Sequence, residues 1–323
     1  MKVNKALIFG GTGQDGILLN NLLLQNSYTV LSTKYKSELN TSSLKYLKLQ
    51  IPHFISLDVT NFNQVKNLIL DFNPTEIYNL AGQSSVYESF RNPDRTMKIN
   101  FDGLLNIIQV IEKYDKAIKL FQASSSEMFG EQNRQPFSEI DSYAPTSPYG
   151  ISKVCAHVVS EYYRKCKNLK IYSGILFNHE SELRSTNFVF RKLTSSLSSI
   201  KAGKLKKVLV GNLEVARDWG YAGEYVQAIN LLMKSDEPRD LIIASGETYS
   251  LREIIQKIME QLNLKFSIDE IAEVSDQFIR QNEISYNSSN PQLAKNILNW
   301  KANIKIDELI NRMLQYENWL INN

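Results

Sequence analysis

The sequence predicts an α/β protein: a doubly wound parallel sheet joined to a smaller mixed α/β lobe on its C-terminal side. Three observations carry that reading. Short apolar runs recur down the first half of the chain, each followed by a segment with apolar residues at helical spacing. The first run, Ala6-Leu7-Ile8-Phe9, opens directly into a glycine-rich turn. Beyond about Phe177 the strand–helix rhythm loosens, although apolar stripes persist.

Taken in order, Gly10-Gly11-Thr12-Gly13-Gln14-Asp15-Gly16 follows the first strand, and Ile17, Leu18, Leu19, Leu22 and Leu23 then mark a helix. Gly10, Gly13 and Gly16 have the spacing G-x-x-G-x-x-G. Glycines let a backbone turn tightly beside a pyrophosphate, and the helix start offers free N–H groups. This implies a Rossmann-like dinucleotide site. Tyr28 to Ser32 reads as the second strand, with no acidic residue after it to hold the ribose of NAD. Lys34 and Lys36 stand there instead and suit a 2′-phosphate, so NADP is expected, with NAD the alternative.

Phe54 to Leu57 is the third strand, ending at Asp58 and Val59. Val65 to Leu70 continues as helix. Glu76 to Leu80 is a strand, and Ala81-Gly82-Gln83-Ser84-Ser85 is a small-residue turn where a backbone can approach a cofactor. Met97 to Ile111 reads as one long helix and Leu120 to Ala123 as a strand running into Ser124-Ser125-Ser126-Glu127. Sites in such sheets lie beyond the carboxyl ends of the strands, and these turns occupy that place.

Ser147-Pro148-Tyr149-Gly150-Ile151-Ser152-Lys153 then opens a helix expected over Ile151 to Tyr163. Tyr149 and Lys153 are four residues apart and share a helix face. A lysine ammonium there is expected to lower the tyrosine's pKa and make it a base toward an alcohol or sugar hydroxyl. Ile171 to Phe177 is another strand. Helices are expected over Phe188 to Ile200, Tyr225 to Met233 and the stripe Leu251 to Leu262, with a closing helix around Leu309, Met313 and Leu314. Lys207 to Val210 and Leu241 to Ala244 read as strands. Residues 1–177 are thus expected to form the dinucleotide domain, with later segments at about 207–245 returning to it. Residues 178–323 are expected to be mainly the substrate lobe.

Composition narrows the function classes. A net charge of +3 without a clustered basic run gives no footprint for nucleic acid. No apolar run approaches the ~20 residues of a membrane span. Cys155 and Cys166 have no metal spacing, so no metal is expected. A reduced, cytoplasmic protein is the simplest expectation.

The chain resembles the GDP-mannose 4,6-dehydratase family of extended short-chain dehydrogenases/reductases. The resemblance is carried by Gln14-Asp15-Gly16, Ala81 to Ser84, Ser125/Ser126/Glu127, Tyr149/Lys153, Asn178-His179-Glu180-Ser181 with Arg184, Asn187-Phe188-Val189, Arg191-Lys192, and Gly211-Asn212-Leu213 to Arg217-Asp218-Trp219-Gly220. It implies a catalytic set of Ser125, Glu127, Tyr149 and Lys153. Tyr149 would deprotonate the C4 hydroxyl of a hexose, Lys153 would tune it, Ser125 would hold the C4 oxygen, and Glu127 would remove the C5 proton and help expel the C6 hydroxyl as water. The cofactor is regenerated within each cycle.

Gly10, Thr12, Gly13, Gln14, Asp15, Gly16, Asp58, Val59, Leu80, Gln83, Ser84, His179 and Arg184 would lie against NADP. Ser85, Ser126, Asn178, Lys192, Arg217, Arg280 and Glu283 would face the GDP-sugar, the two arginines suiting its anionic oxygens. Two departures stand out. Lys34, Tyr35 and Lys36 replace an arginine pair, and Arg280-Gln281-Asn282-Glu283 lacks a proline between its arginine and glutamate. A homodimer or homotetramer is implied. The alternatives are a dehydratase of another GDP-linked sugar such as a heptose, a GDP-4-keto-6-deoxy-sugar reductase or C4 epimerase, and a non-catalytic NADP-sensing protein.

Overall fold

The computed structural model describes residues 4–36, 39–278 and 282–323. Its strands are β1 (Lys5–Phe9), β2 (Thr29–Lys34), β3 (Phe54–Ser56), β4 (Glu76–Asn79), β5 (Lys119–Ser125), β6 (Lys170–Leu176), β7 (Asn178–Glu180), β8 (Val208–Val210), β9 (Ala216–Tyr221), β10 (Asp240–Ile243), β11 (Thr248–Ser250), β12 (Ala272–Val274) and β13 (Tyr286–Asn287). Seven of them form one parallel sheet in the order β10-β6-β5-β4-β1-β2-β3. The order reverses at β1, which places the crevice over the glycine turn.

Alternation along the strands builds two cores. Leu7, Phe9, Ile77, Leu120 and Ile171 face one side and bury against the helices Phe62–Phe72 and Gly103–Tyr114. Ala6, Ile8, Tyr78, Phe121 and Tyr172 face the other and meet the helices Gln14–Gln25 and Ala222–Lys234. A sheet covered on both faces requires near-continuous apolar strands, which is the pattern read from the sequence.

The later residues form a third core around Phe190, Leu197, Trp219, Ile254, Ile258 and Leu309. β9 is the hub there, pairing with β11, β13 and β7. Of the segments expected to return to the main sheet, β10 does so, parallel to β6. Lys207–Val210 does not. β8 pairs with β12 instead, because Val208 and Val210 bury their side chains in the third core. The expected long helix from Met97 is also interrupted. Pro93–Met97 is helical, Lys98–Asp102 is a π-helical turn, and the α-helix resumes at Gly103. Among the described residues no helix is long and apolar enough to cross a membrane.

Candidate active site

The glycine turn is built as a cradle. Gly10 has φ +83°, and a Cβ there would lie 2.6 Å from the backbone of Leu80 and Ala81. At Gly16 a Cβ would lie 2.5 Å from the Gly10 carbonyl, so only glycine lets the helix sit on the turn. Gly13 differs: a Cβ would meet nothing nearer than Gly10 O at 3.6 Å, and the residue is exposed. It is the N-cap of the helix Gln14–Gln25, with no side-chain cap on the helix N–H groups. An uncapped helix start behind a bare backbone fits an anionic diphosphate. Thr12 is half-buried in the same turn, and Leu80 is fixed by its N–H to Phe9 O at 3.0 Å.

Two elements converge on the carboxyl end of β5. Ser125 closes the strand, and Ser126–Met128 forms a 3₁₀ turn in which the Ser125 hydroxyl accepts the Glu127 N–H at 3.3 Å. Opposite, Ser147 caps the helix Pro148–Lys167 by accepting the Gly150 N–H at 3.0 Å. Proline at the first helical position completes that start. Tyr149 therefore sits in the first turn and Lys153 one turn later. The Tyr149 phenol is hydrogen-bonded to Ser125, and the Lys153 ammonium lies 5.7 Å from the Tyr149 ring centroid while donating to Ala123 O at 2.9 Å. Ser124, on the other face of β5, turns away to His157 Nδ1 at 2.8 Å.

The electrostatics differ from the sequence expectation. Burial pushes Tyr149 up to about 12, the Ser125 bond opposes this, and the Glu127 carboxylate adds to the rise. Burial alone pulls Lys153 down to about 8. Lys153 was expected to lower the tyrosine. Desolvation outweighs it, because both groups are removed from water and the ammonium is tied to a backbone carbonyl.

A residue not anticipated as functional organises this corner. Asn100, in the π-helical turn, accepts the Gln83 N–H at 2.8 Å and donates to Gln83 O at 3.1 Å and Ser152 Oγ at 2.9 Å. Ser152 in turn donates to Tyr149 O at 2.7 Å. The available signal was a polar residue amid the apolar spacing of that segment. π-turns often mark functional positions.

Beside Ser125 and Tyr149, Glu127, Arg217, Glu283, Ser147, Asn282 and Ile284 line one small cavity. Arg217 is buried and donates to Ala216 O at 2.9 Å. Ser126 is buried behind Glu127, and Ser85 caps the helix Val86–Arg91 by accepting the Glu88 N–H at 3.2 Å. Lys192 stands farther along, its ammonium 3.3 Å from the Phe278 ring centroid, and burial lowers its pKa.

At the other end of the cradle the protein pairs its own charges. His179 Nε2 lies 3.0 and 3.1 Å from the two Asp15 oxygens, and Nδ1 is 2.7 Å from Phe177 O. Gln14 donates to His179 O at 2.9 Å and accepts from Ser181 Oγ at 2.9 Å. Arg184 pairs with Glu180 at 3.4 Å and stacks over Phe188. Tyr225 stacks on His179 and lies 3.5 Å from Asn178 O. These residues fasten β7 to the first helix.

A sequence model described as GDP-mannose 4,6 dehydratase matches residues 7–313. The chain belongs to the GDP-mannose 4,6-dehydratase family. Among its relatives in that family, GDP-mannose 4,6 dehydratase 1 of Arabidopsis thaliana is 34% identical over 96% of this chain and 88% of the relative. The Homo sapiens enzyme is 34% identical over 96% and 90%, and a Vibrio cholerae one 32% over 97% and 93%. The fold is shared with UDP-glucose 4-epimerase of Thermotoga maritima with UDP-glucose (TM-score 0.86, 21% identity, 98% and 99% covered). It is shared too with dTDP-glucose 4,6-dehydratase of Bacillus anthracis with NAD (TM-score 0.85, 19% identity, 98% and 97% covered).

The remaining expected site residues among those described have partners of their own or stand exposed. Lys34 and Lys36 are exposed, over the rings of Phe54 and Tyr35. The Asp58 carboxylate is engaged by Thr60 N–H and Oγ at 2.9 and 2.8 Å. Val59 is buried where a Cβ on Gly103 would touch it, and Ser84 is exposed. Arg280 lies outside the described residues.

Proposed function

We propose that the chain is a nucleotide-sugar 4,6-dehydratase that converts GDP-mannose to GDP-4-keto-6-deoxymannose through NADP. One observation carries the reading. Glu127 stands at a strand end beside the hydrogen-bonded Ser125–Tyr149 pair, close enough to act on the phenol, and lines the same cavity as Arg217. An alcohol dehydrogenase of this fold needs the hydroxyl, tyrosine and lysine, but has no task for that carboxylate.

Gly10, Thr12, Gly13 and Gly16 would hold the diphosphate, Gln83 and Lys153 the nicotinamide end, and Lys34 and Lys36 a 2′-phosphate. When bound, the nicotinamide would supply the hydride chemistry, as acceptor toward C4 and donor toward C6. Acting from its phenolate form, which a cationic nicotinamide nearby would favour over the neutral phenol of the unliganded site, Tyr149 accepts the C4 hydroxyl proton, and Ser125 donates a hydrogen bond to the C4 oxygen as it becomes a ketone. That ketone acidifies C5. Glu127 takes the C5 proton and passes it to the C6 hydroxyl, the C6–O bond breaks, and water leaves. C5 then regains a proton from Tyr149, and the cycle closes with the loss of one water and no net oxidation. Arg217 and Glu283 would hold the GDP-sugar.

The test is incubation with GDP-mannose and, separately, a GDP-heptose, followed by mass measurement. Loss of one water without stoichiometric use of NADPH is expected. One-for-one consumption of NADPH would instead assign a reductase, and an isomer of unchanged mass an epimerase. Glu127→Gln is expected to lower turnover roughly 10²–10⁴-fold, the range for a general base. A glutamine variant that still released water at the normal rate would remove the dehydratase reading.

A further inference from the structure

Glu127 sits on a short turn, and a base on a turn must be held at a defined height over the carbon it deprotonates. Ser126 O accepts the Phe129 N–H at 3.1 Å within that turn. The same oxygen accepts Asn287 Nδ2 from the C-terminal lobe at 3.4 Å. Asn287 is wholly buried and lies on β13, in register with Arg217 of the neighbouring β9. One residue therefore touches the turn of the base and the strand of the anion-binding arginine.

This contact belongs to a longer strap. Gln135 Nε2 donates to Tyr286 O at 2.7 Å, and Gln135 Oε1 accepts from Ser288 N–H and Oγ at 2.8 and 3.1 Å. Phe137 N–H donates to Ser288 O at 2.9 Å, and Asn290 N–H to Phe137 O at 2.8 Å. Ser285 N–H donates to Glu131 at 2.6 Å. Residues 285–290 thus run along the loop that follows Glu127, while Asn282, Glu283 and Ile284, just before them, line the same small cavity as Glu127.

An amide is an expensive choice for a fully buried site. Among the described residues Asn287 Oδ1 has no hydrogen-bond partner, and an unsatisfied buried acceptor is destabilising. Leucine has the same branched skeleton of heavy atoms, with bulkier ends, and carries no polar group to leave unpaired. Stability alone therefore does not account for asparagine.

We infer that Asn287 is a positioning residue, which sets Glu127 over C5 of the sugar by tying its turn to the strand of Arg217. The inference rests on the dehydratase reading. It assigns Asn287 to the elimination half of the reaction and leaves the oxidation at C4 to Ser125, Tyr149 and Lys153.

The experiment compares wild type, Asn287→Leu and Gln135→Ala with GDP-mannose unlabelled, deuterated at C4 and deuterated at C5. A misplacement of about 1 Å costs on the order of a hundredfold. Asn287→Leu is expected to keep its melting temperature, lose roughly 10–100-fold in kcat with little change in KM, and show a larger isotope effect at C5 but not at C4. Gln135→Ala, which loosens the strap away from the cavity, is expected to move in the same direction by a smaller factor; it decides the matter if the leucine variant fails to fold. Unchanged isotope effects, a rise confined to C4, or a change in KM alone would overturn the inference. Wild type is assayed first. If it releases no water, the dehydratase reading fails and this inference with it; if it does and the variants match it, the inference alone fails.

Discussion

The two ends of the cofactor cradle handle burial in opposite ways. Asp15 and His179 are both removed from water, which by itself disfavours their charges. Their mutual attraction and hydrogen bond outweigh this, so Asp15 is held below its ordinary value and His179 above it. Tyr149 and Lys153 are also buried, but no opposite charge outweighs their desolvation. Tyr149 rises to about 12 and Lys153 falls to about 8. The first pair is a completed clamp. The second is left with a raised phenol and a weakened ammonium, as the proposed proton transfer would use them. Burial does not fix the sign of a pKa shift; the partner within reach does.

The largest effect expected from breaking this contrast is at the Tyr149–Lys153 end. Tyr149→Phe removes the proposed proton acceptor while keeping ring and packing, so turnover should fall roughly 10²–10⁴-fold with an unchanged melting curve. A phenylalanine variant of normal kcat would mean that the proton leaves by another route.

At the clamped end the effect should appear in stability. His179→Asn leaves the Asp15 carboxylate without its partner, at a cost of about 3 kcal/mol, read as a lower melting temperature. The pH dependence follows from the directions of the two shifts. His179 binds its proton more tightly when folded, so its contribution is complete below its ordinary 6.5 and is lost as pH rises through the raised value. Asp15 binds its proton less tightly, so its contribution is present above 3.8 and is lost as pH falls through the lowered value. Wild type should therefore lose stability on the alkaline side more steeply than His179→Asn. Parallel profiles would show that the pair is not ionised.

How far the sequence revealed this contrast depends on how local each feature is. The glycine spacing, the apolar strands and the Tyr149/Lys153 pair are set by short-range geometry, and each lies where periodicity put it. The Asp15–His179 clamp joins residues 164 positions apart, so no window of sequence contains it. β7, β9, β11 and β13 are short strands whose pairing is entirely non-local, and they escaped periodicity for the same reason. Asn287 was invisible on both counts. Tyr149 shows the converse limit: the neighbour was identified correctly, but the degree of burial that decides the pKa was not legible from spacing.

Lys153 sharpens the comparison further, because a residue proposed to serve the chemistry should be a liability to the fold. Its folded value of about 8 lies below the ordinary 10.5, so the ammonium is destabilising at neutral pH by roughly 3 kcal/mol. Stability should rise with pH between those two values as the folded protein releases its proton first. Lys153→Met removes the buried charge and also the bond to Ala123 O, worth about 1 kcal/mol. The net expectation is a gain of about 2 kcal/mol in stability together with a collapse in turnover. A methionine variant that melts lower than wild type would mean that the ammonium is better solvated than its burial implies.

The smallest expected effect lies outside both pairs, where charge is neither clamped nor buried. Lys34 and Lys36 are exposed beyond β2, so any attraction for a 2′-phosphate acts through water and is screened. Each lysine should contribute about 1 kcal/mol at most, close to a fivefold preference. Lys34→Ala and Lys36→Ala should each raise the Kd for NADP severalfold, leave the Kd for NAD unchanged, and lose most of their effect in high salt. The double variant should approach the product of the two, since exposed charges without a shared partner act nearly independently. Equal losses for both cofactors would place the lysines against the shared part of the dinucleotide, and no loss for either would leave the chain indifferent to the 2′-phosphate.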